Sequence, residues 1–181
     1  MAPEASKVPY GYEPPQERTK GTLICYDSFE RAEEAELNAE LDTAARIAEE
    51  RSFARLVLYP IHEETMRRMG SSPVEAYYKR EKMLLEWQRT RGESWIAVDR
   101  WEGKRKKYTP MDQALRHLTE TLPAPYFLLL TPDIANAFAS FSSFEEWIVK
   151  LRLIVTGPPE RPHPKLLQFR ERWELAEGPR S

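Results

Sequence analysis

Cysteine, long apolar runs and net charge are all scarce in this 181-residue chain, and each scarcity excludes a class of protein. The single cysteine, Cys25, sits inside the apolar run "TLICY" with no partner for an intramolecular disulfide, so a disulfide scaffold is excluded and a reducing cytoplasm is expected. No stretch reaches the ~18 apolar residues of a membrane-spanning helix, and "MAPEASKVPYGYEPPQERTK" has no apolar signal core. A formal net charge of −2 supplies no general attraction to nucleic acid or to an anionic membrane. Three signatures are missing as well. No G-x-G-x-x-G follows the first apolar run, no G-x-x-x-x-G-K-[ST] occurs, and there is no G-x-S-x-G elbow.

What is present describes one globular domain with a sizeable core and a densely ionised surface: 41% of residues are hydrophobic and 31% charged. Arg outnumbers Lys two to one and Asn is rare, a mix that points to a GC-rich or heat-adapted bacterial source. Residues 1–20 hold four prolines and no period, which predicts an extended Pro-rich arm. From Thr22 onward, "TLICY", "RLVLY", "WIAV", "YFLLL" and "LRLIV" read as five strands buried on both faces. Between them the period turns helical, with start signals at Asp27/Glu30, "SPVE", "TPMD" and "SSFE". Strands alternating with amphipathic helices predict a three-layer αβα sandwich over residues 21–160, with a five-stranded, mostly parallel sheet of flavodoxin-like or Rossmann-like type. Residues 161–181 are expected to add a C-terminal helix, its stripe of Leu166, Phe169 and Trp173 packed on the domain or on a partner.

A parallel sheet gathers its strand C-termini on one edge, and ligands bind there where strand order reverses. Catalytic candidates are therefore Asp27, His62, Asp99 and Glu102, which follow the first three strands. Carboxylates at close range would hold Mg²⁺ through oxygen ligands, or one would raise another's pKa and make it a general acid; His62 would supply a base. With order 2-1-3-4-5, Asp27 and the 99–102 segment flank the crevice; with order 3-2-1-4-5, Asp27 faces Asp133. "HEETM" begins like a zinc-protease helix, but Met66 replaces the second histidine, and His117 and His163 are too dispersed for a zinc site, so no metal ligand set is assigned.

The segment after the third strand, "DRWEGKRKKYTP", carries the ligand-binding candidates Arg100, Trp101, Lys104, Lys106, Lys107, Tyr108 and Thr109. Four successive cations ahead of a helix start, bracketed by aromatic rings, suit a phosphate beside a base or sugar; a plain solvated loop is the ordinary alternative. Asp27, Asp99 and Thr131 are similar in type to the acid, acid and threonine of a phospho-receiver domain. That family has Lys after strand five where this chain has "TGPP", and a pair of acids where this chain has one, so it is not assigned. Two readings follow. In the first, the protein binds or acts on a phosphorylated small molecule or nucleotide at the sheet's C-terminal edge. In the second, it is a non-catalytic module whose arm and C-terminal helix form a homodimer or partner surface.

Overall fold

Each apolar run sends alternate side chains to opposite sides, and this alternation builds two cores. On one side Ile24, Tyr26, Val57, Tyr59, Leu128 and Leu153 are buried; on the other lie Leu23, Cys25, Leu56, Leu58, Leu129 and Ile154. The computed structural model describes residues 21–177, so the arm expected over residues 1–20 lies outside the described residues. Its elements are β1 (Thr22–Asp27), α1 (Glu34–Glu50), β2 (Arg55–Pro60), α2 (Glu63–Arg68), α3 (Tyr77–Arg91), β3 (Ile96–Val98) and α4 (Trp101–Arg105). There follow α5 (Met111–Thr121), β4 (Tyr126–Leu130), α6 (Pro132–Ser140), α7 (Phe144–Ile148), β5 (Leu151–Val155), α8 (Pro164–Gln168) and β6 (Trp173–Leu175).

The sheet is Rossmann-like: six strands in the order β3-β2-β1-β4-β5-β6, every neighbouring pair parallel. Of the two strand orders open to the sequence, this is the one in which Asp27 and Asp133 share the crevice. Helices α1 and α3 pack on the face of Leu23 and Leu56, while α5, α6, α7 and α8 pack on the other. No helix among the described residues is long and apolar enough to cross a membrane.

Several elements differ from expectation. The C-terminal segment is a short helix and a 3-10 turn followed by a sixth strand. Pro164 and the ring of His163, which accepts from the Lys165 N–H, start α8. Trp173 then donates its indole N–H to Leu166 O at 2.7 Å, and the chain pairs with β5. The free edge of β5 offered backbone partners that outweigh three more helical residues. The stripe of Leu166 and Trp173 is covered by the protein's own core. Residues 101–105, read as loop, form α4. Asp27 does not start α1, which begins at Glu34 after a turn in which Phe29 takes a left-handed φ of 61°. A bulky residue in that region costs on the order of 1–3 kcal/mol, supplied here by the 5% exposure of the Phe29 ring.

Candidate functional site

The crevice exists because β1 pairs unequally with its two neighbours. Its register with β4 ends at Cys25↔Leu129, while its register with β2 continues to Asp27↔Pro60. Past Cys25 the sheet splits at the point of strand-order reversal, where open α/β sheets bind ligands. A cleft of about 490 Å³ occupies the split on the α1 side, floored by Cys25, Leu37, Leu41, Ala44 and Leu129 and rimmed by Asp27, Arg31, Glu40, Thr131 and Thr156. A second recess of about 530 Å³ shares Asp27, Arg31 and Thr131 with it and adds Ser28, Ser72 and Asp133. Apolar floor, polar rim and several hundred Å³ are the features of small-molecule sites.

The rim is pre-arranged. Asp27 accepts the Ser28 N–H at 2.8 Å through one oxygen and Arg31 Nη2 at 2.7 Å through the other. Arg31 also grips Glu40 with both Nε and Nη2, at 2.7 and 2.9 Å. The two carboxylates thus hold one guanidinium across the cleft mouth. Thr131 caps α6 by accepting the Ile134 N–H at 3.4 Å, with Pro132 in the first turn, so the positive end of α6 faces the recess. Burial pushes the Cys25 thiol far above its ordinary value, with Asp27 adding to the effect, which makes Cys25 an inert part of the floor.

Beneath this rim sits an arginine that sequence reading missed. Arg80, 3% exposed, donates through Nη1 to Ser28 O and Ile61 O, both at 2.7 Å, and through Nε to Glu75 O at 2.8 Å. It ties the turn after β1 to the end of β2 and to the approach to α3. Burial lowers its pKa, with Glu63 opposing. An arginine at the third interval of a polar helix resembles surface charge, and only the buried partners Tyr77, Leu84 and Trp87 on the same face give its direction away.

The remaining candidates are divided among three places. His62 caps α2, its Nδ1 accepting the Glu64 N–H at 3.1 Å. Glu102 is fully buried; it meets His62 only through that residue's backbone N–H, at 3.2 Å. Burial pushes its carboxyl up to about 7 against hydrogen bonds from Thr65 and the His62 backbone. Asp99 hydrogen-bonds to neither. One oxygen accepts the Trp101 N–H at 2.9 Å and starts α4, and the other meets His117 Nε2 at 2.8 Å. The His117 ring stacks on Trp101 at 4.3 Å, with Arg105 over Trp101 at 4.9 Å. In the sequence His117 was set aside as too dispersed for a zinc site; the fold brings it to Asp99, 18 residues away in the chain.

Lys104, Lys106 and Lys107 are exposed at the end of α4, beyond edge strand β3. Arg100 pairs with Glu81 at 3.1 Å, and Tyr108, 36% exposed, lies under Arg68 at 4.4 Å. Thr109 is buried rather than a cap, its N–H donating to Thr65 Oγ1 at 3.0 Å. At ~4.8 Å per strand, β3 lies about 12 Å from the β1–β4 split. Among the described residues no group of three or more His, Cys, Asp or Glu comes together to hold a metal ion.

No family model matches the sequence, and neither does any of the curated proteins. Among solved structures, the chain is similar to a protein from Vibrio parahaemolyticus provisionally designated a nicotinate-nucleotide adenylyltransferase, with a TM-score of 0.51 over 83% of this chain and 85% of that one. Identity is 15%, so the likeness is one of fold.

Proposed function

We propose that the protein binds a nucleotide or another phosphorylated small molecule in the crevice between β1 and β4. The observation that carries this reading is the 490 Å³ cleft at the strand-order reversal, with its apolar floor and the Asp27–Arg31–Glu40 rim. A planar or sugar-bearing group would lie on Leu37, Leu41 and Leu129, and its hydroxyl or amino donors would meet Asp27 and Glu40. The phosphate would point into the adjoining recess, towards the N-terminus of α6 and the Arg31 guanidinium. Mg²⁺ enters this reading only in company with the phosphate, with Asp27 and Asp133 as the carboxylates of the same recess. The nucleotide-related designation of the Vibrio parahaemolyticus protein of similar fold is compatible with this choice of ligand.

The test is thermal unfolding in the presence of nucleoside mono- and triphosphates and sugar phosphates, with and without Mg²⁺. A binder at about 100 times its Kd adds about 2.7 kcal/mol, or roughly 5–11 °C for a chain of this size. Asp27→Asn and Arg31→Ala should abolish the rise. Replacing Lys104, Lys106 and Lys107 together by Ala separates the crevice from the cationic run: a crevice ligand keeps its stabilisation, whereas an anion held at α4 loses it. A flat response to the whole panel overturns the reading.

A further inference from the structure

A polar cluster separate from the crevice lies under the sheet's C-terminal edge, on the α5 side. Glu102 reaches into it from α4, and its Oε1 accepts the Thr65 hydroxyl at 2.5 Å and the His62 N–H at 3.2 Å. The Thr65 oxygen itself accepts the Thr109 N–H at 3.0 Å, so its proton is directed to Glu102. Oε1 is therefore an acceptor twice over. The other oxygen, Oε2, is buried with no hydrogen-bond partner among the described residues, and so are the hydroxyls of Tyr26 and Tyr59, whose rings stack at 5.3 Å. Three unpartnered polar atoms in a sealed core call for a proton or a water to join them.

Among the described residues, the groups facing Glu102 include no cation in contact. From β1 and β2 come the phenols of Tyr26 and Tyr59, from α2 the Thr65 hydroxyl and from α3 the Tyr77 phenol; on the approach to α5, the Thr109 N–H meets Thr65 and Tyr108 acts on Tyr26. The His62 ring is engaged with Glu64 N, and Asp99, which acts on Tyr59, is an acid. Arg105, on Glu102's own helix, acts only at a distance; its Nε and Nη2 go to Thr109 Oγ1 and Gln113 at 3.0 and 3.1 Å. An ionised Glu102 would be a buried anion without a contacting counter-charge, which protein interiors disfavour.

We propose that Glu102 is a proton-dependent latch: protonated, it clamps α4 and α2 to the sheet; ionised, it draws water into the core and frees α4 with its cationic run from Lys104 to Lys107. Because α2 and its C-terminal residue also supply Met66 and Met69 to the wall of the recess beside the crevice, release of the latch softens that wall.

The sign is fixed by linkage. A carboxyl raised in the folded state, here to about 7, gives stability that is complete below its unfolded value and is lost as pH rises through the folded one. The experiment is amide hydrogen exchange of residues 101–105 in the full chain between about pH 4.5 and about pH 8, corrected for intrinsic rates. In the wild type the opening constant should rise by up to about tenfold per pH unit and level off beyond about 7, while Glu102→Gln stays flat. Identical profiles overturn the latch. If Glu102→Gln does not fold, the Glu102 carboxyl carbon followed by NMR in the unaltered chain decides: a midpoint near the ordinary ~4.3 overturns it, and one near about 7 supports it.

Discussion

Replacing Arg80 by Met keeps most of the aliphatic volume and removes the guanidinium, which leaves Ser28 O, Ile61 O and Glu75 O without the donors that satisfy them. Each hydrogen bond from a charged donor contributes about 1.5–3 kcal/mol, so three would total about 4.5–9 kcal/mol if they added. The desolvation of the cation, which lowers its pKa, is relieved by the substitution and returns part of that sum. A net loss of about 3–5 kcal/mol is expected, a fall in Tm of roughly 6–20 °C for a chain of this size. Urea unfolding followed by circular dichroism measures it, with the midpoint falling and the slope unchanged. Arg80→Lys should recover little, since an ammonium on a flexible stem cannot present the planar fork that meets carbonyls from three segments. A loss below about 1 kcal/mol for Arg80→Met would refute the view that this side chain holds the crevice loops in place.

Gly103→Ala should cost about 1–3 kcal/mol, because its methyl group would overlap the Tyr77 ring; Gly92→Ala, strained only by its left-handed φ of 67°, should cost about 1–2 kcal/mol, and thermal unfolding of the pair compares overlap with strain. The hydrogen bond from Trp147 Nε1 at 2.7 Å, aided by Arg116, holds the Asp112 carboxyl below its usual range. Its contribution is complete above the unfolded Asp value of ~3.9 and disappears as pH falls through the depressed folded one. Asp112→Asn should therefore be less stable than wild type at neutral pH, by under about 1 kcal/mol since the side chain is 34% exposed, and should converge with it in acid; an equal gap at all pH values counts against the assignment.

The parallel αβα scaffold was legible because burial on both faces leaves a continuous apolar run, and five such runs are plain in the text. The strand order was not, since two orders share the same alternation; it is decided by which strand lies beside β1, a contact that spans about a hundred residues. Trp173 was misread because its spacing from Leu166 and Phe169 also fits a helical stripe, and only the open edge of β5 favours extension. Because every neighbouring strand pair is parallel, the acids that follow the strands start from one edge of the sheet. Neighbours across that edge were hidden, and so Asp99 was read without His117 and the loops without Arg80. Glu102, in the middle of a charged stretch, had nothing in its flanking residues to mark it as the most buried carboxylate among the described residues.

The outermost strands, β3 and β6, are three residues each. A foreign strand docking at either border would find room for only a couple of backbone pairings before meeting α4 or the turn after Leu175, too few to seed lateral growth of the sheet. The stubby margins thus let a molecule built around bare parallel strands resist polymerising along them.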